Sequence, residues 1–142
     1  MSNTRIWIYR ILLALFGLFL GWVVLRANLG ELPSLLRLNQ HVPLGDKIGH
    51  FVLMGTLCLL ANLALRTRSV ELKRRQALVG TIVVAVGVSL EELSQLAIAS
   101  RSFSITDLAA DYFGIFVADR VSWRFRSHPQ PSLQGSDTQN TT

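Results

Sequence analysis

Cysteine is almost missing from this chain: Cys58 stands alone in the middle of an apolar run. A single thiol forms no disulfide within the chain and no cysteine metal site, so packing is the role expected of it. Charge is missing just as plainly over long stretches. Ile6–Leu25 is interrupted only by Arg10, Ile48–Leu65 carries no formal charge when His50 is neutral, and Ala77–Leu90 carries none. No internal repeat is present, and no HExxH-type spacing. Ser89, Ser94 and Ser104 have no base at an identifiable spacing, which removes the usual signature of an activated nucleophile.

What is present is apolar: half of the 142 residues, gathered into blocks rather than spread as a soluble core requires. The first two blocks, at about 6–25 and 48–65, are close to the roughly 20 residues that span a bilayer. A third runs over 77–99, with Glu91, Glu92 and Gln95 in its last turns. The fourth, 105–121, carries Asp107, Asp111, Asp119 and Arg120 towards its ends around the apolar run from Tyr112 to Ala118. A helix inserted beside three neighbours can hide such a polar face against them. A soluble bundle of this size has too few other residues to cover two helices that are apolar all round. A cleaved signal peptide is the other reading of the first block, but no small-x-small pattern is clear near Arg26 and Ala27, so an uncleaved anchor is expected.

The expected fold is therefore all-α, a polytopic membrane four-helix bundle over residues 1–126. A short interfacial segment between helices 1 and 2 is expected from the leucines and Pro33 of the 27–45 connection, and a disordered cytoplasmic tail over 127–142. Basic residues set the orientation. Arg66, Arg68, Lys73, Arg74 and Arg75 follow the second block and Arg120, Arg124 and Arg126 the fourth, which places both termini in the cytoplasm. The net charge of +5 then calls for anionic headgroups as partners and not for nucleic acid.

With that topology, the start of helix 2, the end of helix 3 and the start of helix 4 share the outer face. Asp46, Lys47, His50, Glu92, Gln95, Arg101, Asp107 and Asp111 sit at those places. Ionisable groups at membrane depth cost several kcal/mol each, roughly 2.5 to 3.5 on insertion scales, and so mark working sites. Asp46 and His50 are four apart and stack on one helix face, with Asp46 placed to orient or charge-stabilise the imidazole and Lys47 pointing elsewhere. Glu92 and Gln95 share a face at a spacing of three, Glu91 and Gln95 at four, and periodicity does not choose between the glutamates. Ser104, Asp107, Asp111, Gly114 and Ala118 form a stripe, polar then small, that should face the bundle. Arg101 is the natural counter-charge. Each residue alone has a plain structural explanation: Asp46 as a cap, Ser104 or Thr106 as a cap, His50 as a hydrogen-bonded histidine, Glu91 as a water-boundary marker. Independent caps and markers do not require all of them to meet on one face.

The run DKIGHF from Asp46, the run EELSQ from Glu91, and Arg101, Asp107, Asp111 and Gly114 together resemble the VanZ-like family of small bacterial membrane proteins. That family's pattern is Asp-Lys-x-x-His-Phe, an acidic residue before Glu-x-x-Gln, an Arg in the following loop, and Asp-x-x-x-Asp/Asn-x-x-Gly in the last helix. The match runs from Asp46 to about Arg120, and Met54 stands where a Tyr is frequent. The resemblance implies that Glu92 is the key glutamate and that the chain resides in a bacterial inner membrane; the family takes its name from a protein that lowers sensitivity to the glycopeptide teicoplanin. It supplies a family and leaves the reaction and any cofactor unspecified.

Three functions compete. The outer-face cluster recognises an amphipathic or lipid-linked envelope component, with Asp46, Lys47, Gln95 and Arg101 binding it. Alternatively it is an enzyme site using Glu92, Asp107, Asp111 and His50 as acid and base on a lipid-linked wall precursor or phospholipid, in one variant with a divalent cation on His50, Glu92 and Asp107. Third, it opens a proton or ion path, for which Asn62, Thr81 and Asp119 offer a thin inward relay. The sequence leaves open whether copies of the chain associate as an oligomer.

Overall fold

The computed structural model describes residues 3–29, 45–72, 75–95 and 104–126. Four helices are present among them: α1 (Asn3–Asn28), α2 (Gly45–Ala64), α3 (Val79–Gln95) and α4 (Ile105–Trp123). α1 and α2 are long and apolar enough to cross a membrane, with mean hydropathy 2.2 and 1.5. The expected interfacial segment, the last turn of helix 3, Arg101 and the tail fall outside the described residues.

One feature of the expected all-α fold needs correcting. Between α2 and α3 lies an antiparallel hairpin, β1 (Ser69–Leu72) and β2 (Arg75–Leu78), in register Ser69 with Leu78 through Leu72 with Arg75. Ala77 and Leu78 are thus strand, and α3 starts two residues later than the apolar run does. The hairpin is held from both sides. Leu78 is fully buried, and the Val79 N–H donates to Arg68 O at 2.9 Å. Arg126, just beyond α4, donates to Ser69 Oγ at 2.9 Å and to Gln76 Oε1 at 2.5 Å.

The chain leaves α2 through Arg66 and Thr67, both left-handed at φ 58° and 51°. This conformation costs non-glycine residues roughly 1 to 2 kcal/mol each. In exchange, the Thr67 N–H reaches Asn62 O at 2.7 Å and the Arg66 N–H reaches Leu63 O at 3.1 Å, so the last carbonyls of α2 are satisfied. Arg66 also donates to Asn3 Oδ1 at 2.9 Å, tying the start of α1 to the end of α2. At the other end of the molecule, Ser104 caps α4: its backbone is extended and its Oγ accepts from the Asp107 N–H.

Apolar residues lie both inside and outside the bundle. The buried cluster consists of Cys58, Ala61, Val84, Val88, Ile115 and Ala118, whereas Trp7, Leu15, Leu18, Trp22, Phe113 and Phe116 face outwards, Leu18 at 73% exposure. α2 packs most extensively on α4, and glycine makes that approach possible. A Cβ on Gly114 would overlap Phe51 O and lie 3.0 Å from Gly55 N. Small residues at a helix crossing let backbones come close and gain dispersion contacts.

Candidate functional site

The close crossing of α2 and α4 positions the polar residues above it. Asp111 lies one turn before Gly114 on α4, and His50 lies one turn before Met54 and Gly55 on α2. Bringing the backbones together therefore sets the imidazole against the carboxylate. His50 Nδ1 is 3.0 Å from Asp111 Oδ1 and 3.2 Å from Oδ2. The C-terminal end of α3 closes the third side. Glu92 is 1% exposed and Asp111 2%. One ring nitrogen of His50 and one carboxylate oxygen each of Glu92 and Asp111 lie within 4.8 Å of one another.

Around this trio the other residues take defined places. Gln95 Nε2 donates to Glu91 Oε2 at 3.0 Å and Glu92 Oε1 at 3.2 Å, so the amide bridges both glutamates, and burial singles out Glu92. Lys47 Nζ is 3.5 Å from Asp107 Oδ1. Asp46 is exposed, in the first turn of α2.

Three sequence-based expectations change. The partner of the His50 imidazole is Asp111, sixty-one residues away, and not Asp46 on the same helix. Lys47 does not point away from the cluster; it neutralises Asp107 across the α2/α4 boundary. The carboxylate that joins His50 and Glu92 is Asp111, while Asp107 groups instead with Asp46 and His50. All three follow from the relative height of α4 against α2, which no spacing within one helix encodes. Arg101 lies outside the described residues.

The electrostatics of the trio are demanding. Two ionised carboxylates at about 5 Å repel by roughly 3 to 4 kcal/mol at an effective dielectric of about 20, in addition to the several kcal/mol of desolvation each incurs. His50, hydrogen-bonded to Asp111, offsets part of that cost.

A second polar cluster, at the hairpin end, escaped sequence reasoning apart from the scattered Asn62, Thr81 and Asp119. Asn62 Nδ2 donates to Thr81 Oγ1 at 3.0 Å and Ser122 Oγ at 3.2 Å. Thr81 donates to Asp119 Oδ1 at 2.6 Å, Trp123 Nε1 to Asp119 Oδ2 at 3.0 Å, and Ser122 to Ala118 O at 2.7 Å. Cys58 packs beside it, its sulfur 3.7 Å from Thr81 Oγ1. Ser122 and Trp123 gave no signal because they lie among Arg120, Arg124 and Arg126, where polar residues mark the end of a span.

Comparison with known protein families, with curated proteins and with solved structures finds no match to this chain.

Proposed function

We propose that this chain is a multi-pass protein of a bacterial inner membrane, related to the VanZ-like family, with both termini cytoplasmic. In this reading its outer-leaflet site binds the headgroup of an amphipathic or lipid-linked envelope component, and capture of that component alters glycopeptide sensitivity. The observation that carries the proposal is the meeting of His50, Glu92 and Asp111 from three helices at one end of the bundle.

Two further features support it. The exterior of α1 and the outer faces of α3 and α4 carry large apolar side chains, including Trp7, Leu18, Leu90, Phe113 and Phe116. A surface of this kind is suited to lipid, since monomeric soluble proteins seldom leave contiguous apolar patches of that extent in water. Beside the charged end runs a groove of about 350 Å³ between α3 and α4, lined by Thr81, Ile82, Ala85, Val86, Ser89, Leu90 and Tyr112. Ser89 lies three residues before Glu92, and Ser89 Oγ and the Tyr112 hydroxyl are 2.7 Å apart where the groove approaches the carboxylates. A headgroup at the site and an acyl chain in the groove match the two halves of an amphipathic ligand.

The enzymatic reading draws on one observation, the carboxylate-oriented imidazole of the His50–Asp111 pair beside a buried Glu92. Binding and turnover are separated by titrating the purified chain with a fluorescent lipid-linked wall precursor and with anionic phospholipid, then following the bound lipid by mass. Saturable binding lost in Glu92→Gln, with the lipid recovered intact, is expected; a shorter product turns the reading to catalysis, and equal binding by Glu92→Gln ends it. Topology is tested separately in a Cys58→Ser background. An impermeant thiol reagent applied from outside should label Leu35→Cys and spare Ser69→Cys.

A further inference from the structure

We infer that the exposed face of α4 at the hairpin end, running from Phe113 to Arg124, is a binding surface for an anionic diacyl phospholipid of the adjacent leaflet. The inference rests on the proposed reading for the chain's place in a bilayer, and not for the outer-leaflet headgroup.

Helical spacing is the first ground. Phe113, Phe116, Val117, Arg120 and Arg124 recur at intervals of three and four, so they share one face of the helix, and all five are exposed. The face turns from aromatic to basic along its length. From Phe113 to Arg124 the helix rises about 16 Å, close to the roughly 15 Å of hydrocarbon in one leaflet. The aromatics therefore meet acyl chain where the arginines meet phosphate.

Charge selects the headgroup. The Arg120 guanidinium lies over the Phe116 ring, 4.8 Å from its centroid. Stacking holds the cation against the apolar face and leaves its N–H edge free to donate to a pair of phosphate oxygens. Arg126 is the contrast, because its terminal nitrogens are engaged by Ser69 and Gln76. Among the described residues no carboxylate is paired with Arg120 or Arg124. The acids at this end are Glu71, on the hairpin, and Asp119, whose two oxygens accept from Thr81 and Trp123. Exposed Arg5, Arg66 and Arg68 add positive charge there, which favours an anionic headgroup over a zwitterion that brings its own cation.

The test uses the full chain with exposed Trp7→Phe and Trp22→Phe, which leaves Trp123, the neighbour of Arg124, as its one tryptophan. An exposed face exchanges lipid quickly, so the preference is read in the bilayer and not as lipid carried through purification. The chain is placed in vesicles of equal parts phosphatidylglycerol and phosphatidylcholine, with brominated acyl chains on one lipid or the other. Stronger quenching of Trp123 by brominated phosphatidylglycerol is expected. Arg120→Gln with Arg124→Gln should reduce that enrichment by about fivefold for each arginine, whereas Arg120→Lys with Arg124→Lys should keep it. Glu92→Gln should also keep it, because Trp123 reports the hairpin end alone. Equal quenching by the two lipids overturns the inference without any arginine variant, and so does enrichment unchanged in the glutamine pair or lost in Glu92→Gln. Enrichment lost when inorganic phosphate replaces chloride at equal ionic strength overturns it too, since the surface then takes phosphate and not lipid. Quenching by neither lipid is a different failure, which ends the bilayer reading and this inference with it.

Discussion

The two polar clusters of this bundle are built from the same three helices and obey opposite rules. At the hairpin end, Asn62, Thr81, Asp119, Ser122 and Trp123 form a chain in which the amide, the hydroxyls and the indole all donate and both oxygens of the only carboxylate accept. Among the described residues the acceptor left over is Asn62 Oδ1, pressed against Gly80 where a Cβ would overlap it. At the other end, buried Glu92 and Asp111 lie beside the His50 imidazole, and Lys47 stands 3.5 Å from Asp107. Buried Val88 and Ile115, each one turn from Glu92 and Asp111, lie between the two clusters. The difference teaches what each is for. A closed network of mostly neutral donors fastens helices to one another, while carboxylates buried side by side mark the end to which the proposed function assigns binding.

The largest expected effect should break both clusters together. Gly114→Val drives a side chain into Phe51 O, pushes α4 off α2 and should cost about 3 kcal/mol of stability, measured by denaturant unfolding in detergent. Next, Glu92→Gln and Asp111→Asn should separate the clusters. Each removes a charge at nearly constant side-chain shape, so lipid retention should drop about tenfold or more while the bundle stays folded. Asn62→Ala sharpens the contrast from the opposite side. Losing its links to Thr81 and Ser122 should lower stability by about 1 to 2 kcal/mol and leave lipid retention intact. The smallest effect belongs to Lys47→Met, at most about 1 kcal/mol in stability, because the Lys47 side chain is 38% exposed.

Periodicity within a helix was readable from the residues alone, and offsets between helices were not. The stripe of Asp111, Gly114 and Ala118 at spacings of three and four does face the bundle, because burial on one helix repeats every 3.6 residues. The choice of Asp111 over Asp46 as the partner of His50 depends on how far α4 slides along α2. That is decided by Gly55, Gly114 and the Phe51 carbonyl, where backbones touch. The hairpin was hidden for a different reason. Its strands are four residues each, too short for alternation to register, and the basic run around them reads as a loop. Glu92 and Glu91 could not be ranked by spacing to Gln95, since the amide in fact bonds both, and burial alone distinguishes them.

The most direct test of the account melts the wild-type chain, Glu92→Gln and Asn62→Ala side by side and takes a native mass spectrum of each as purified in mild detergent. A retained lipid lost only in Glu92→Gln, together with a melting temperature lowered only in Asn62→Ala, is the expected result. A lowered melting temperature with the lipid still bound in Glu92→Gln would contradict the account, since the buried carboxylate would then be serving the fold and not a ligand.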